Sequence, residues 1–363
     1  MQDVEVKTPG NAEVIAGLEA ALARAKTGVA RAAAIVFCEY AGADVMYMGD
    51  VQARAQVLYG CTLLNHLIIT GTSNHLHHTT GSPQNPAANL WKFDLTADPI
   101  CFDFLPWLVS AEMTRRREGA PAPLRVAFVR NPNSLVTIEE SKWKFFHNVI
   151  RPVLSLFGAV EDEAAAVGRH ADFVAYKDIS KWHQAGEEVP VITVPDMAKD
   201  KMDKRLKGRT PVTITLREMD RYEQRNSDID EWKRFARWLK ARGEDVIVVR
   251  DTAKAGLPFD RFEICPEASE HIHARAALYA KAKCNLFVAN GPWGLAEFSK
   301  VPWLMFCMVD EAQVEGFNRP DYWKTFMGMT ETGQVPWATP QQRIVYKRDR
   351  FQHLCAGYEA LQL

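Results

Sequence analysis

From about residue 120 the chain alternates short β-branched runs with stretches whose apolar residues recur at helical spacing. That is the pattern of parallel strands covered by helices. Leu124 to Val129 reads as a strand. Phe145 to Phe157 reads as a helix, with Phe146, Val149, Ile150, Val153, Leu154 and Phe157 along one stripe and Gly158 as its stop. Asp172 to Tyr176 and Val189 to Val194 read as further strands. In the second half, Val212 to Leu216, Val246 to Val249, Leu286 to Ala289 and Trp303 to Met308 are strands. Between them, helices are predicted over Asp228 to Arg242, Glu270 to Lys283 and Gly294 to Ser299. A last helix belongs within Gln341 to Leu363. Upstream, the pattern predicts an alanine-rich helix (Ala12 to Ala25), a strand near Ala34 to Cys38, a long loop over 71 to 99, and a strand-then-helix unit from Pro99 to Arg117.

The expected fold class is α/β, with a parallel sheet in each half. The basic segment MAKDKMDKRLKGRT, closed by Pro211, has no clean apolar face; it is either the boundary between two domains or a solvated surface helix. The division this suggests is an N-terminal domain over 1–198, a linker over 199–210, a C-terminal domain over 211–340 and a terminal helix or tail over 341–363.

The chain has 363 residues, enough for two sizeable cores. Its formal net charge of -1 gives no general field to hold a polyanion, so nucleic acid is not an expected partner. The seven cysteines include no C-x-x-C pair and read as reduced thiols. With no secretory signal and no apolar run of membrane length, the expectation is a cytoplasmic protein with at most peripheral membrane contact.

Two polar clusters follow predicted strand ends, where open α/β sheets bind ligands. One is LREMDRYEQRN, from Leu216 to Asn226, and the other ANGPWGLAEFSKVP, from Ala289 to Pro302. Arg217 suits a bidentate grip on phosphate, or else forms an ordinary surface ion pair with Glu218. Asn226 or Ser227 is a candidate N-cap of the next helix; capping leaves unexplained why Arg221 and Arg225 share that loop. Asn290, Gly291, Pro292 and Gly294 allow a tight turn into a short helix. Its free N–H groups suit an anion; alternatively the glycines only permit positive φ. Trp293 is the one tryptophan placed beside that turn. Asp228 and Asp230 form a D-x-D pattern, but in a first helical turn, where acids are favoured anyway. His75, His77 and His78 lie in a polar loop with no clear fourth ligand, so a solvent-facing or acceptor-contacting loop is expected there rather than a metal site, with one of these imidazoles as an alternative general base. Asp103 is either a second candidate base or a helix cap.

The runs VTITLREMDRYEQRNSDIDEWKRFARWLKARGEDVIVVRD and LFVANGPWGLAEFSKVPWLMF together resemble the C-terminal half of bacterial GT-B-type glycosyltransferases. The resemblance spans about 130 residues. It implies two Rossmann-like domains facing a cleft, and transfer of a sugar from a nucleotide-sugar donor to a glycan, lipid or protein acceptor, without a metal or other cofactor. It further implies that Arg217 contacts the donor diphosphate, with the Asn290, Gly291 and Pro292 turn beside it and Glu297 near a sugar or ribose hydroxyl; Glu218, Arg225, Asn226 and Trp293, in the same two loops, complete the expected donor site. Asp103, His75 and His78 are the expected catalytic candidates. The group often has a histidine where this chain has Thr215. Two rival expectations are a non-catalytic nucleotide- or glycan-binding protein of the same fold and a nucleotide-sugar epimerase; a dinucleotide oxidoreductase is disfavoured because no G-x-G-x-x-G follows a strand.

Overall fold

Two all-parallel sheets organise the computed structural model, which describes residues 89–130, 136–162, 169–170, 175–220, 223–307, 323, 328–330 and 332–362. These residues belong to one compact unit, 81–363. The first sheet comprises β1 (Leu90–Asp94), β2 (Arg125–Val129), β3 (Val160–Glu161) and β4 (Arg169–His170), in the order β3-β2-β1-β4. The second comprises β5 (Val212–Thr215), β6 (Val246–Val249), β7 (Glu263–Ile264), β8 (Cys284–Val288), β9 (Trp303–Phe306) and β10 (Gln342–Val345), in the order β10-β9-β8-β5-β6-β7. The α/β class with two separate parallel sheets is as the sequence pattern predicts. Strands β5, β6, β8 and β9 are buried throughout and read as continuous apolar or β-branched runs, as strands covered on both faces must.

Helix α1 (Phe104–Arg117) follows β1, and α2 (Glu140–Phe145) follows β2. A π-helical turn over Phe146–Ile150 then leads to α3 (Val153–Leu156). The single helix predicted over 145–157 is thus broken, because Pro152 has no N–H to continue the ladder. Its stripe is nevertheless buried at Phe146, Val149, Ile150, Val153 and Leu154. Helix α4 (Ala175–Gln184) includes Tyr176, placed in a strand by the sequence pattern; 171–174 lie outside the described residues. The strand predicted over Val189 to Val194 is irregular backbone that joins no sheet. Pro190 and Pro195 interrupt its donors, and its amides serve as single ties, Ile192 N–H to Phe298 O (2.8 Å) and Thr193 N–H to Leu156 O (2.7 Å).

The expected loop over 71–99 contains β1, the central strand that pairs with both β2 and β4. Charged Lys92 and Asp94 alternate with its apolar residues and mask it. Pro99 to Phe102, read as the strand, is instead a turn, with Cys101 N–H on Pro99 O and Leu105 N–H on Phe102 O. The basic segment 199–210 begins in α5 (Asp196–Leu206), whose Met202 and Leu206 are buried. Arg205 ties this helix to Glu263 and Glu267.

In the second half, α6 (Ile229–Ala241) buries Trp232, Phe235, Ala236 and Leu239. The helix predicted over 270–283 is α7 (Pro266–Glu270) and α8 (Ile272–Lys281), divided at extended His271. Then come α9 (Trp293–Glu297) and, at the end, α10 (Phe351–Glu359). Residues from 341 onward contribute β10 as well as the expected helix. The predicted elements within 1–80 lie outside the described residues, and no helix among those described is long and apolar enough to cross a membrane.

Candidate active site

Parallel strands deliver their following loops to one rim. Because β5 pairs with β6 and β8 in register, with Thr215 opposite Val249 and Phe287, Arg217 emerges between Asp251 and the Ala289-Asn290 turn. The Arg217 backbone is fixed on both sides by Ser227, whose hydroxyl accepts its N–H at 3.0 Å and whose N–H donates to its carbonyl at 2.9 Å. Asn226 closes the loop. Its Oδ1 accepts from Arg217 Nη1 (2.5 Å) and Met219 N–H (3.0 Å), and its Nδ2 donates to Met219 O (2.7 Å).

Arg225 ends a short 3-10 turn, Glu223–Arg225, and its Nη2 donates to Ala289 O at 3.2 Å. It is near enough to Arg217 to lower that guanidinium's proton affinity. Burial of Arg217 is the larger cause, and Asp251 opposes both. Two like charges are thus held together, partly out of water, at the carboxyl ends of β5 and β8. That arrangement favours an anion.

Other expected partners take different places. Glu218 does not pair with Arg217; it is buried and takes a two-pronged grip from Arg250, at 2.9 Å from Nε and 2.5 Å from Nη2. Neither Asn226 nor Ser227 caps α6. The cap is Asp228, whose carboxylate accepts Glu231 N–H and pairs with Arg350, while its D-x-D partner Asp230 is exposed. No cluster of three histidines, cysteines or acids suited to a metal occurs among the described residues.

The turn at 290–294 differs from both expectations. Neither Gly291 nor Gly294 has positive φ, and the amides of Trp293, Gly294 and Leu295 are taken by the carbonyls of Asn290, Gly291 and Pro292. The glycines are needed for close approach. A Cβ on Gly291 would stand 2.6 Å from Phe102, and one on Gly294 3.1 Å from Leu105. Gly291→Ala is therefore expected to lower the unfolding midpoint in a thermal melt, and an unchanged midpoint would contradict the contact.

Asn290 remains distinctive: Nδ2 and Oδ1 are both buried and hydrogen-bond to nothing. Trp293 does not face the rim; its ring packs in the core against Trp303 and Trp323. Glu297 is buried as well, at 1% exposure, and accepts from Tyr176 OH at 2.9 Å. Burial pushes its carboxyl well above the ordinary glutamate value of 4.5, with the Tyr176 bond opposing. A raised folded-state value means that stability present below pH 4.5 is progressively lost as pH rises toward that value. Glu297→Gln should accordingly gain stability relative to the parent as pH rises in urea titrations, and a pH-independent difference would contradict the burial argument.

From the first sheet, the turn before α1 brings Asp103 to the same rim. Asp103 occupies the N-cap position of α1 but makes no capping hydrogen bond. Its Oδ2 accepts from Cys101 Sγ at 3.2 Å. Crowding by protein raises its proton affinity although the residue keeps solvent contact, while Cys101 and Arg225 act in the opposite sense. His75 and His78 lie outside the described residues, as does Arg221. Arg250 and Asp251, which close the resembling run but were given no site role by it, lie beside the site after β6 and repeat there the strand-Arg-acid pattern of Arg217 and Glu218 after β5. That repetition was the available signal. Thr215, in place of the resemblance's histidine, is buried and bonds Tyr279 OH at 2.7 Å.

A scan against protein-family models finds no match, and a search of curated proteins finds none. Among solved structures, the chain is similar to a glycosyl transferase of family 9 from Veillonella parvula, at 10% identity and a TM-score of 0.44, over 75% of this chain and 96% of that one. It is also similar to the dodecameric iron-containing heptosyltransferase TibC in complex with ADP-D-beta-D-heptose, at 12% identity and TM-score 0.40, over 75% and 74%. A third likeness is to the E. coli heptosyltransferase WaaC with ADP, at 10% identity and TM-score 0.33, over 75% and 99%. The activities and ligands in those names are those proteins' own.

Proposed function

We propose that this chain is a glycosyltransferase that takes a sugar from a nucleotide-sugar donor, with the donor diphosphate at the carboxyl rim of the second sheet. The observation that carries the reading is the pair Arg217 and Arg225, crowded together where β5 and β8 end, beside the buried amide of Asn290. Breaking the bond from anomeric carbon to phosphate builds negative charge on the leaving nucleotide diphosphate. Fixed guanidiniums stabilise that charge without the reorganisation that water would need. The amide of Asn290 is suited to a phosphate or sugar hydroxyl. Asp103, whose raised proton affinity suits a base, would take the proton of the acceptor hydroxyl as it attacks the anomeric carbon. No metal enters this scheme, and the acceptor class is a glycan, lipid or protein.

The test is a thermal-shift panel of ADP, UDP, GDP, CDP and dTDP, followed by incubation with the nucleotide sugars of whichever base stabilises the protein. Selective stabilisation and acceptor-dependent release of nucleotide support transfer. Stabilisation without turnover indicates a binding protein, and donor conversion without acceptor indicates an epimerase. No stabilisation by any member removes the donor site.

A further inference from the structure

The loop that carries Arg217 and Arg225 ends at the first turn of α6, and that turn is held by the far end of the chain. Asp349, 3% exposed, lies between β10 and α10. Its Oδ2 accepts from two donors at the start of α6, Asp228 N–H at 2.8 Å and Trp232 Nε1 at 2.7 Å. The next two residues continue the contact: Arg350 Nη1 donates to Asp228 Oδ2 at 3.0 Å, and Phe351 N–H donates to Glu231 Oε2 at 2.5 Å. Each helix start thus receives a carboxylate from the other, Asp349 serving α6 and Glu231 serving α10, where backbone N–H groups have no partner within their own helix.

What Asp349 anchors leads directly to the cationic pair. The residue before Asp228 is Ser227, which is bonded to the Arg217 backbone in both directions, at 3.0 and 2.9 Å. Before it come Asn226, whose Oδ1 accepts from Arg217 Nη1, and Arg225, which donates to Ala289 O. The path from the tail to the guanidiniums is therefore one buried carboxylate, one backbone amide and the two-way tie of Ser227. We propose that Asp349 is a positioning residue for the donor diphosphate: by anchoring Asp228 it holds the 225–227 segment, and through Ser227 it holds Arg217, at the rim. This rests on the donor site proposed above and adds to it a control from outside that site.

A loop released from its anchor keeps the binding geometry only part of the time, and apparent affinity falls by that fraction. The experiment is calorimetric titration of ADP, UDP, GDP, CDP and dTDP into the full chain and its folded variants. For the nucleotide that binds the full chain, Asp349→Ala should bind about tenfold more weakly, the factor for a loop in place about a tenth of the time. Asp349→Ser, too short to reach Asp228 N–H, supplies the same readout if Asp349→Ala does not fold. Asp349→Asn, whose Oδ1 can accept both N–H groups, should bind as the parent does. Trp232→Phe removes the other donor and disturbs the core but keeps the Asp228 tie; it should melt earlier than the parent and bind equally well. Adding Ser227→Ala to Asp349→Ala should weaken binding by less than the product of the two separate effects, because both act on one link. Parent affinity in the folded Asp349→Ala or Asp349→Ser chain, or an equal loss in Trp232→Phe, overturns the positioning role alone. Failure of the full chain to bind any nucleotide overturns the donor site itself, and the positioning role with it.

Discussion

Arg217→Ala should weaken nucleoside diphosphate binding by about 10- to 100-fold, the loss of one or two charge-assisted hydrogen bonds at about 1.5–3 kcal/mol in all. The fold should tolerate the change, because the tie to Ser227 is made by the Arg217 backbone and Asn226 keeps its bonds to Met219. Arg217→Lys should recover only part of the affinity, since an ammonium cannot reproduce a planar two-pronged grip. Calorimetry checks both, with near-parent affinity for Arg217→Ala removing this residue from the site. Comparing pyrophosphate with the nucleoside diphosphate shows whether the loss falls on the phosphates, in which case both ligands weaken by a similar factor.

The second sheet was the legible part of the molecule. Its strands β5, β6, β8 and β9 are fully buried, so they stand out as apolar runs between helices with clean stripes, and α6 ends where Gly243 takes a φ of 85°. The first sheet hid its centre. The strand β1 alternates apolar residues with Lys92 and Asp94, and the more apolar Pro99-to-Phe102 run beside it drew the assignment away. Local pattern also cannot distinguish Val189 to Val194, which lies outside both sheets, from a paired strand, because what separates them is a partner distant in sequence.

At the candidate site, strand ends identified loops that do share one rim, but not the contacts within them. Arg217, Arg225 and Asn290 reach one rim because β5 and β8 are neighbours, a fact of strand order that alternation of elements suggests but does not fix. Gly291 was ambiguous for a deeper reason. Its role is set by Phe102, nearly 190 residues earlier in the chain, and no local spacing encodes that approach. Trp293 and Glu297 were placed near a ligand by adjacency to the turn, yet the helix that begins there turns both inward.

Glu218 and Arg250 carry the second large prediction. With side-chain exposures of 3% and 11%, the pair is held at 2.5 and 2.9 Å, and Arg250 also donates to the carbonyls of Leu257 and Pro258. Arg250→Met should destabilise the fold by up to about 3–5 kcal/mol, because it leaves the buried Glu218 carboxylate with only the more distant Lys254, at 3.8 Å, as a countercharge. Replacing both, Arg250→Met with Glu218→Leu, should recover much of that loss, since a matched apolar pair pays no desolvation penalty. Affinity should behave differently from stability. The Glu218 amide is tied to the Asp251 carboxylate at 2.5 Å, and the ion pair holds this corner of the rim beside Arg217. The double variant should therefore melt near the parent yet bind nucleoside diphosphate several-fold more weakly. Urea denaturation and calorimetry on the same two variants separate these effects. Stability of Arg250→Met within about 1 kcal/mol of the parent, inside the range of an exposed pair, would show that water already reaches Glu218.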